Sequence, residues 1–237
     1  MTDTKTPILR EFDKPGTVIF QCLTGSHSLG LNSEGSDIDT RGIYVTPLRQ
    51  FLSIRPPKEY IIHVDGIDDQ VWDEVGRWFY LAAAKGNHER VSMLASPIQE
   101  TVHPIWGRML IDNLPAFISM KTLRAMYGFA ESQLRRGHGI RGSERSNRKA
   151  IMHNIRLAWQ GITLARTGEL VVKLPPDLVA SLMDLKLGRT TMDSGIRWAN
   201  SLMIELGAEI KLAPLNNEPN WDRLNEMLYE IRMGNHD

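Results

Sequence analysis

Asp37 and Asp39 place two carboxylates one residue apart in the run Ser36-Asp37-Ile38-Asp39-Thr40-Arg41-Gly42. On a β-strand, residues i and i+2 face the same way, so the two acids would converge. Paired anions repel unless a cation sits between them. Oxygen donors of this kind suit Mg2+, which completes its shell with water and substrate phosphates. Two such ions form the recurring arrangement for in-line phosphoryl displacement, with Mn2+ as an alternative. Upstream, Gly25-Ser26 ends an apolar run, and ten residues separate Ser26 from Asp37. Backbone N–H groups at a strand-to-helix turn can hold phosphate oxygens, Gly25 allows close approach and the Ser26 hydroxyl can donate. Alone, a Gly-Ser step is an ordinary turn and an Asp-x-Asp an ordinary strand edge. Their coupling at this spacing singles out the segment. His27 reads as a helix-face neighbour of the site rather than a metal ligand.

The elements that must position these residues follow from hydrophobic patterning. Thr17–Leu23 reads as a buried strand, Ile38–Val45 as a second, Glu59–Val64 as a third and Gln70–Trp72 as a short fourth. Pro47–Leu52 reads as a helical turn. Val75, Trp78, Phe79, Leu81 and Ala82 fall at helical spacing, with Asp73 as N-cap and Gly86-Asn87 as the stop. From residue 88 onward almost no strand signal remains. Helices are expected over 90–95, 104–114, 118–135, 146–167, 175–185, 192–211 and 219–232. The Gly137–Gly142 run is the most flexible-looking segment. The expected class is α+β, a small mixed sheet with helices followed by a mostly helical region. The expected division lies near residue 100, giving domains 1–100 and 101–237.

At Gly25-Ser26 and Asp37-x-Asp39 the sequence resembles the DNA polymerase beta-like nucleotidyltransferase superfamily. The longer run GSHSLGLNSEGSDIDTRGIYV is most similar to a group of poorly characterised bacterial and phage predicted nucleotidyltransferases. The segments KGNHERVSMLASP and KAIMHNIRLA resemble that group's downstream motifs. The resemblance implies triphosphate binding at Gly25 and Ser26, metal binding at Asp37 and Asp39, and a mixed catalytic sheet. It also implies a third carboxylate on a later strand, to help hold metal and accept the proton of the attacking hydroxyl. Asp65, followed by Gly66, reads as a turn, and Asp73 as a cap. Asp69, at the start of the Gln70–Trp72 run, is the choice, with Asp68 as runner-up. One residue of register turns a side chain to the opposite face, so both cannot serve.

Residues 121–160 carry nine Lys or Arg against two Glu, an excess of seven positive charges. Lys149, His153 and Arg156 are spaced i, i+4 and i+7 and share one helix face, opposite Ile151, Ile155, Ala158 and Ile162. Such a face could clamp a nucleotide's phosphates or a polynucleotide acceptor. It could also be a solvated face with surface ion pairs, and His153 a core histidine bonded to a carbonyl. Lys186 is a weaker candidate of the same kind. The scattered tryptophans read as core rather than as a base-stacking platform.

The 237 residues carry 28 basic and 28 acidic side chains, which argues against a general polyanion coat but permits a local patch. No run of eighteen apolar residues exists, so no membrane span is expected. The start lacks a secretory pattern and Cys22 is the single cysteine, so a cytoplasmic protein is expected. The expected activity is nucleotidyl transfer from a nucleoside triphosphate to a tRNA or other nucleic acid, a protein or a small molecule. The rivals are a catalytically degenerate regulatory or antitoxin-like module, and a nucleic-acid-binding protein that uses the basic helix.

Overall fold

The computed structural model describes residues 16–56, 58–66, 68–139 and 142–234. Strand β1 (Thr17–Leu23) leads through a short helix α1 (Gly25–Leu29) to β2 (Asp39–Val45). After the turn α2 (Leu48–Phe51) come β3 (Tyr60–Asp65) and β4 (Asp68–Glu74). Helix α3 (Val75–Phe79) widens into a π-helical turn over Tyr80–Ala84, and α4 (His88–Leu94) follows. A fifth strand, β5 (Gln99–Val102), precedes seven helices: α5 (Trp106–Asp112), α6 (Leu114–Phe117), α7 (Met120–Gly137), α8 (Glu144–Thr167), α9 (Pro176–Lys186), α10 (Met192–Glu209) and α11 (Trp221–Gly234).

The sheet order is β3-β4-β2-β1-β5. Only β2 and β4 run parallel; the other three pairings are antiparallel. The α+β class and the mostly helical C-terminal region are as expected. Strand β5 is a departure. Its sequence QETV is polar and lies at an exposed edge, so no buried face marks it. It pairs with β1 and straddles residue 100. The Ile140-Arg141 step of the glycine-rich run lies outside the described residues.

The inner face of the sheet supplies Ile19, Phe20, Cys22, Ile43 and Val45 to one continuous core. Trp78 and Phe79 meet Phe117 edge-on there, with centroids 5.0 and 5.2 Å away. Helix α8 adds Leu157, Ala158, Ile162 and Leu164, and α11 adds Leu224, Met227 and Ile231. Burial of these side chains, each worth about 1.5–3 kcal/mol, fixes α8 between α7 and α10 within the same core. Its opposite stripe is left free to border a cleft.

Asp73 was expected to cap α3, and the structure corrects this. Glu74, not Asp73, caps this helix, accepting from the Gly76 N–H at 2.8 Å. Glu74 also receives Arg232 of α11 at 2.7 Å, which ties the last helix to the sheet. Asp73 is 2% exposed and is held by Arg77 at 3.1 Å and Arg90 at 2.6 Å. A carboxylate that deep needs charged partners, and these two orient α3 and α4.

Candidate active site

Strand β1 delivers Gly25 to the C-terminal edge of the sheet. Its φ of +62° suits glycine, and an added Cβ would stand 2.1 Å from Asp39 Oδ2. The close approach that requires glycine here is thus, first, that of the Asp39 carboxylate. Ser26 lies within α1, and its Oγ is buried without a hydrogen-bond partner. Such an orphaned hydroxyl fits a phosphate oxygen better than a packed core does.

Strand β2 begins at Asp39, so Asp37 sits before it in non-regular backbone. The same-face argument from strand geometry therefore does not apply to this pair. The charges converge nonetheless. Burial raises the Asp39 carboxyl above its ordinary range, and Asp37 and Asp69 raise it further, while Arg41 and Lys149 oppose the shift. Asp39 and Asp69 are register partners across the parallel β2–β4 ladder. In-register neighbours of adjacent strands share a face, so Asp69 lies on the Asp39 side of the sheet. Asp68 instead accepts the Ile38 N–H at 2.8 Å and fixes the entry to β2.

Arg41 ties the two acids of the Asp39–Asp69 rung together. Its Nη2 donates to Asp69 Oδ2 at 3.0 Å and lies 3.9 Å from Asp39 Oδ1, while Nη1 donates to the carbonyls of Thr40 and Asp69. Among the described residues no group of three or more His, Cys, Asp or Glu gathers closely enough to hold a metal alone. The acids nevertheless suit Mg2+, which needs only one or two carboxylates when phosphates and water supply the rest.

A cleft of about 370 Å3 opens beside Gly25, Asp39 and Arg41, large enough for much of a nucleotide. Its far wall is the free stripe of α8. Lys149, His153 and Arg156 all line it, as the i, i+4, i+7 spacing anticipated. Ser26, Asp37 and Asp69 stand outside its lining. His153 makes no carbonyl bond among the described residues. Burial, with Arg156 and Lys149 beside it, pushes its pKa down to about 3, so the ring is neutral. Lys186 donates to Leu31 O at 2.8 Å and braces the loop after α1. The basic segment is also less free than its count suggested. Lys121 pairs with Glu218, Arg135 with Glu131 and Arg148 with Glu144, while Arg141 lies outside the described residues.

Residues not singled out complete the cleft: His88 and Glu89 from α4, Phe129, Gln133 and Arg136 from α7, and Gln160 from α8. His88 and Glu89 belong to KGNHERVSMLASP, so the resemblance of that run was the available signal. Gln160 had none, since its role depends on the fold. Its Nε2 donates to the Val171 and Val172 carbonyls at 2.8 and 3.4 Å, which turns Oε1 toward Arg156.

A family model described as RlaP, RNA repair pathway DNA polymerase beta family, matches residues 5–230. The chain belongs to this family. The match bears out the resemblance to the DNA polymerase beta-like nucleotidyltransferases. Comparison with curated proteins gave no match. Among solved structures, the chain is similar to the crystal structure of a nucleotidyltransferase-like protein from Exiguobacterium sibiricum 255-15. The identity is 14% and the TM-score 0.35, over 92% of this chain and 74% of that one. No helix of this family member, among the described residues, is long and apolar enough to cross a membrane.

Proposed function

We propose that the protein transfers a nucleoside monophosphate from a nucleoside triphosphate to an acceptor hydroxyl, with release of pyrophosphate. The observation that carries this reading is the Asp39–Asp69 rung, with the Asp37 charge acting on it, whose Asp39 lines a cleft walled by Lys149, His153 and Arg156.

Gly25 and Ser26 would receive phosphate oxygens, and Ser26 has an unused hydroxyl to offer. Lys149 and Arg156 would neutralise the remaining phosphate charge from the opposite wall. Asp37, Asp39 and Asp69 would hold Mg2+ or Mn2+, which when bound supplies charge neutralisation at the reacting phosphate. Asp69 would take the proton of the acceptor hydroxyl. The new bond joins that oxygen to the α-phosphorus as the bond to the β-phosphate oxygen breaks. Asp69 must first be released from Arg41, which could then turn to a phosphate. The family description names RNA repair, and the exposed Arg136 and Lys149 that line the cleft suit a polynucleotide backbone. RNA is therefore the favoured acceptor.

A second reading rests on the Arg41–Asp69 ion pair. A module that binds nucleotides without turnover could keep its acids neutralised by Arg41. Labelled triphosphates supplied with Mg2+ and RNA bearing a free 3′-hydroxyl separate the two. Label joined to RNA supports transfer. Triphosphate bound tightly but returned intact, with RNA, protein and small-molecule acceptors alike, supports the binding module.

A further inference from the structure

Arg156 lies seven residues beyond Lys149, about 10 Å along the α8 axis from the residue that faces Asp39. Its Nη1 donates to Gln160 Oε1 at 2.8 Å, and its Nε is buried without a partner. Exposed Glu89 is the nearest opposing charge, yet no ion pair within 4 Å joins them. Burial pulls the guanidinium pKa down to about 10, a sign of how little compensates it. A half-buried cation with no anionic partner within ion-pair distance is costly, and an anionic ligand would relieve that cost.

The surroundings define which anion. His88 is 8% exposed, its Nε2 is buried without a partner, and its ring rests 5.5 Å from Phe129. The ring offers a directional hydrogen bond beside Arg156. Gln160, locked by two carbonyls, holds the guanidinium in one orientation. A carboxylate would engage the arginine fork alone. A tetrahedral dianion has enough oxygens to meet the fork and the imidazole together.

We propose that Arg156, His88 and Gln160 form a subsite for a terminal phosphate dianion, set apart from the Asp39 end of the cleft. This deepens the nucleotidyl-transfer reading by naming where a terminal phosphate of one substrate sits. That phosphate belongs either to the triphosphate or to the end of an RNA acceptor. Gln160 is a positioning residue, since it acts through Arg156.

The test is calorimetric binding to the full chain in EDTA, so that the acids and their metal play no part. The probes are ATP against ADP, and an RNA oligonucleotide ending in a phosphate against the same oligonucleotide ending in hydroxyls. Wild type should prefer ATP to ADP, or the phosphate-ended RNA to the hydroxyl-ended one, and which of the two preferences it shows identifies the source. Asp39→Asn should retain that preference even if it abolishes turnover, which separates failure of the catalytic reading from failure of this one. Arg156→Gln should lose affinity by about 10- to 100-fold. Arg156→Lys, which keeps the charge and loses the fork, should fall between. Unchanged affinity in both Arg156 variants, or no preference within either pair in wild type, overturns the subsite.

Discussion

Asp39 on β2 and Asp69 on β4 occupy the same rung of a parallel ladder, and one guanidinium, Arg41, spans them at 3.9 and 3.0 Å. Asp68, one residue away, is spent on the Ile38 N–H. The two neighbouring acids should therefore separate cleanly on substitution. Asp69→Asn should lower turnover by about 100-fold or more, the scale of a lost general base. Asp68→Asn should mainly destabilise the entry to β2, by about 1 kcal/mol. Pyrophosphate-release rates and urea unfolding of both variants check the assignment, and equal rates in the two would remove it.

Gly25→Ala brings a methyl to 2.1 Å from Asp39 Oδ2 at a positive φ. The carboxylate must move. The expected result is a loss of about 1–3 kcal/mol of stability from the backbone conformation alone. A fall in turnover should exceed what the unfolded fraction explains. Thermal melts and rates measured on the same preparation separate the two effects.

Asp39 links stability to pH and to metal. Its carboxyl is raised in the folded state, so folding favours the protonated form. Its contribution is most favourable below the ordinary carboxylate pKa and declines as pH rises through the raised value. Asp39→Asn should therefore melt higher than wild type near pH 7 in EDTA. Mg2+ should raise the melting temperature of wild type and much less that of the variant. Scanning calorimetry with and without Mg2+ reads both differences. A metal response as large in the variant as in wild type would count against the donor set.

His88 and His153 impose the opposite slope at acid pH. Both are pushed down to about 3 by burial and by nearby cations. An unfolded histidine binds a proton near 6.5 and these do not. The stability they permit is full above about 6.5 and drains as the pH falls toward 3. His88→Gln or His153→Gln should flatten the unfolding free energy across that range, measured by denaturant titration at several pH values.

Asp73 carries the heaviest structural charge. It is almost wholly buried between Arg77 and Arg90. Asp73→Ala would leave both arginines without it and should cost about 3–5 kcal/mol. It should also loosen α4, which carries His88 and Glu89 to the cleft. Urea unfolding gives the first quantity. Hydrogen exchange over residues 88–94 gives the second.

What the sequence made legible was whatever obeys a local period. Strand β1 falls at Thr17–Leu23, as its β-branched run predicts. The α8 stripe of Lys149, His153 and Arg156 follows from 3.6-residue spacing. Strand β5 was not legible, because QETV is polar and gains its place only by pairing with β1. Asp37 was placed on a strand that begins two residues later. The cap assigned to Asp73 belongs to Glu74, because Arg90, distant by 17 residues in sequence, claims the buried acid. Gln160 became a site residue only once α4, α7 and α8 had closed around one cleft, whereas His88 lay in a run whose resemblance already marked it. Pattern reports periods along the chain, whereas pairing of distant charges is decided by the fold.

The central claim is that the acids on the β2–β4 edge support nucleotidyl transfer. Its most direct measurement is pyrophosphate release from nucleoside triphosphates with Mg2+ and RNA, comparing wild type with the Asp37→Asn/Asp39→Asn double variant. The account predicts Mg2+-dependent release with label joined to RNA in wild type, and at least a 100-fold loss in the double variant. Release that continues undiminished in that variant would contradict it.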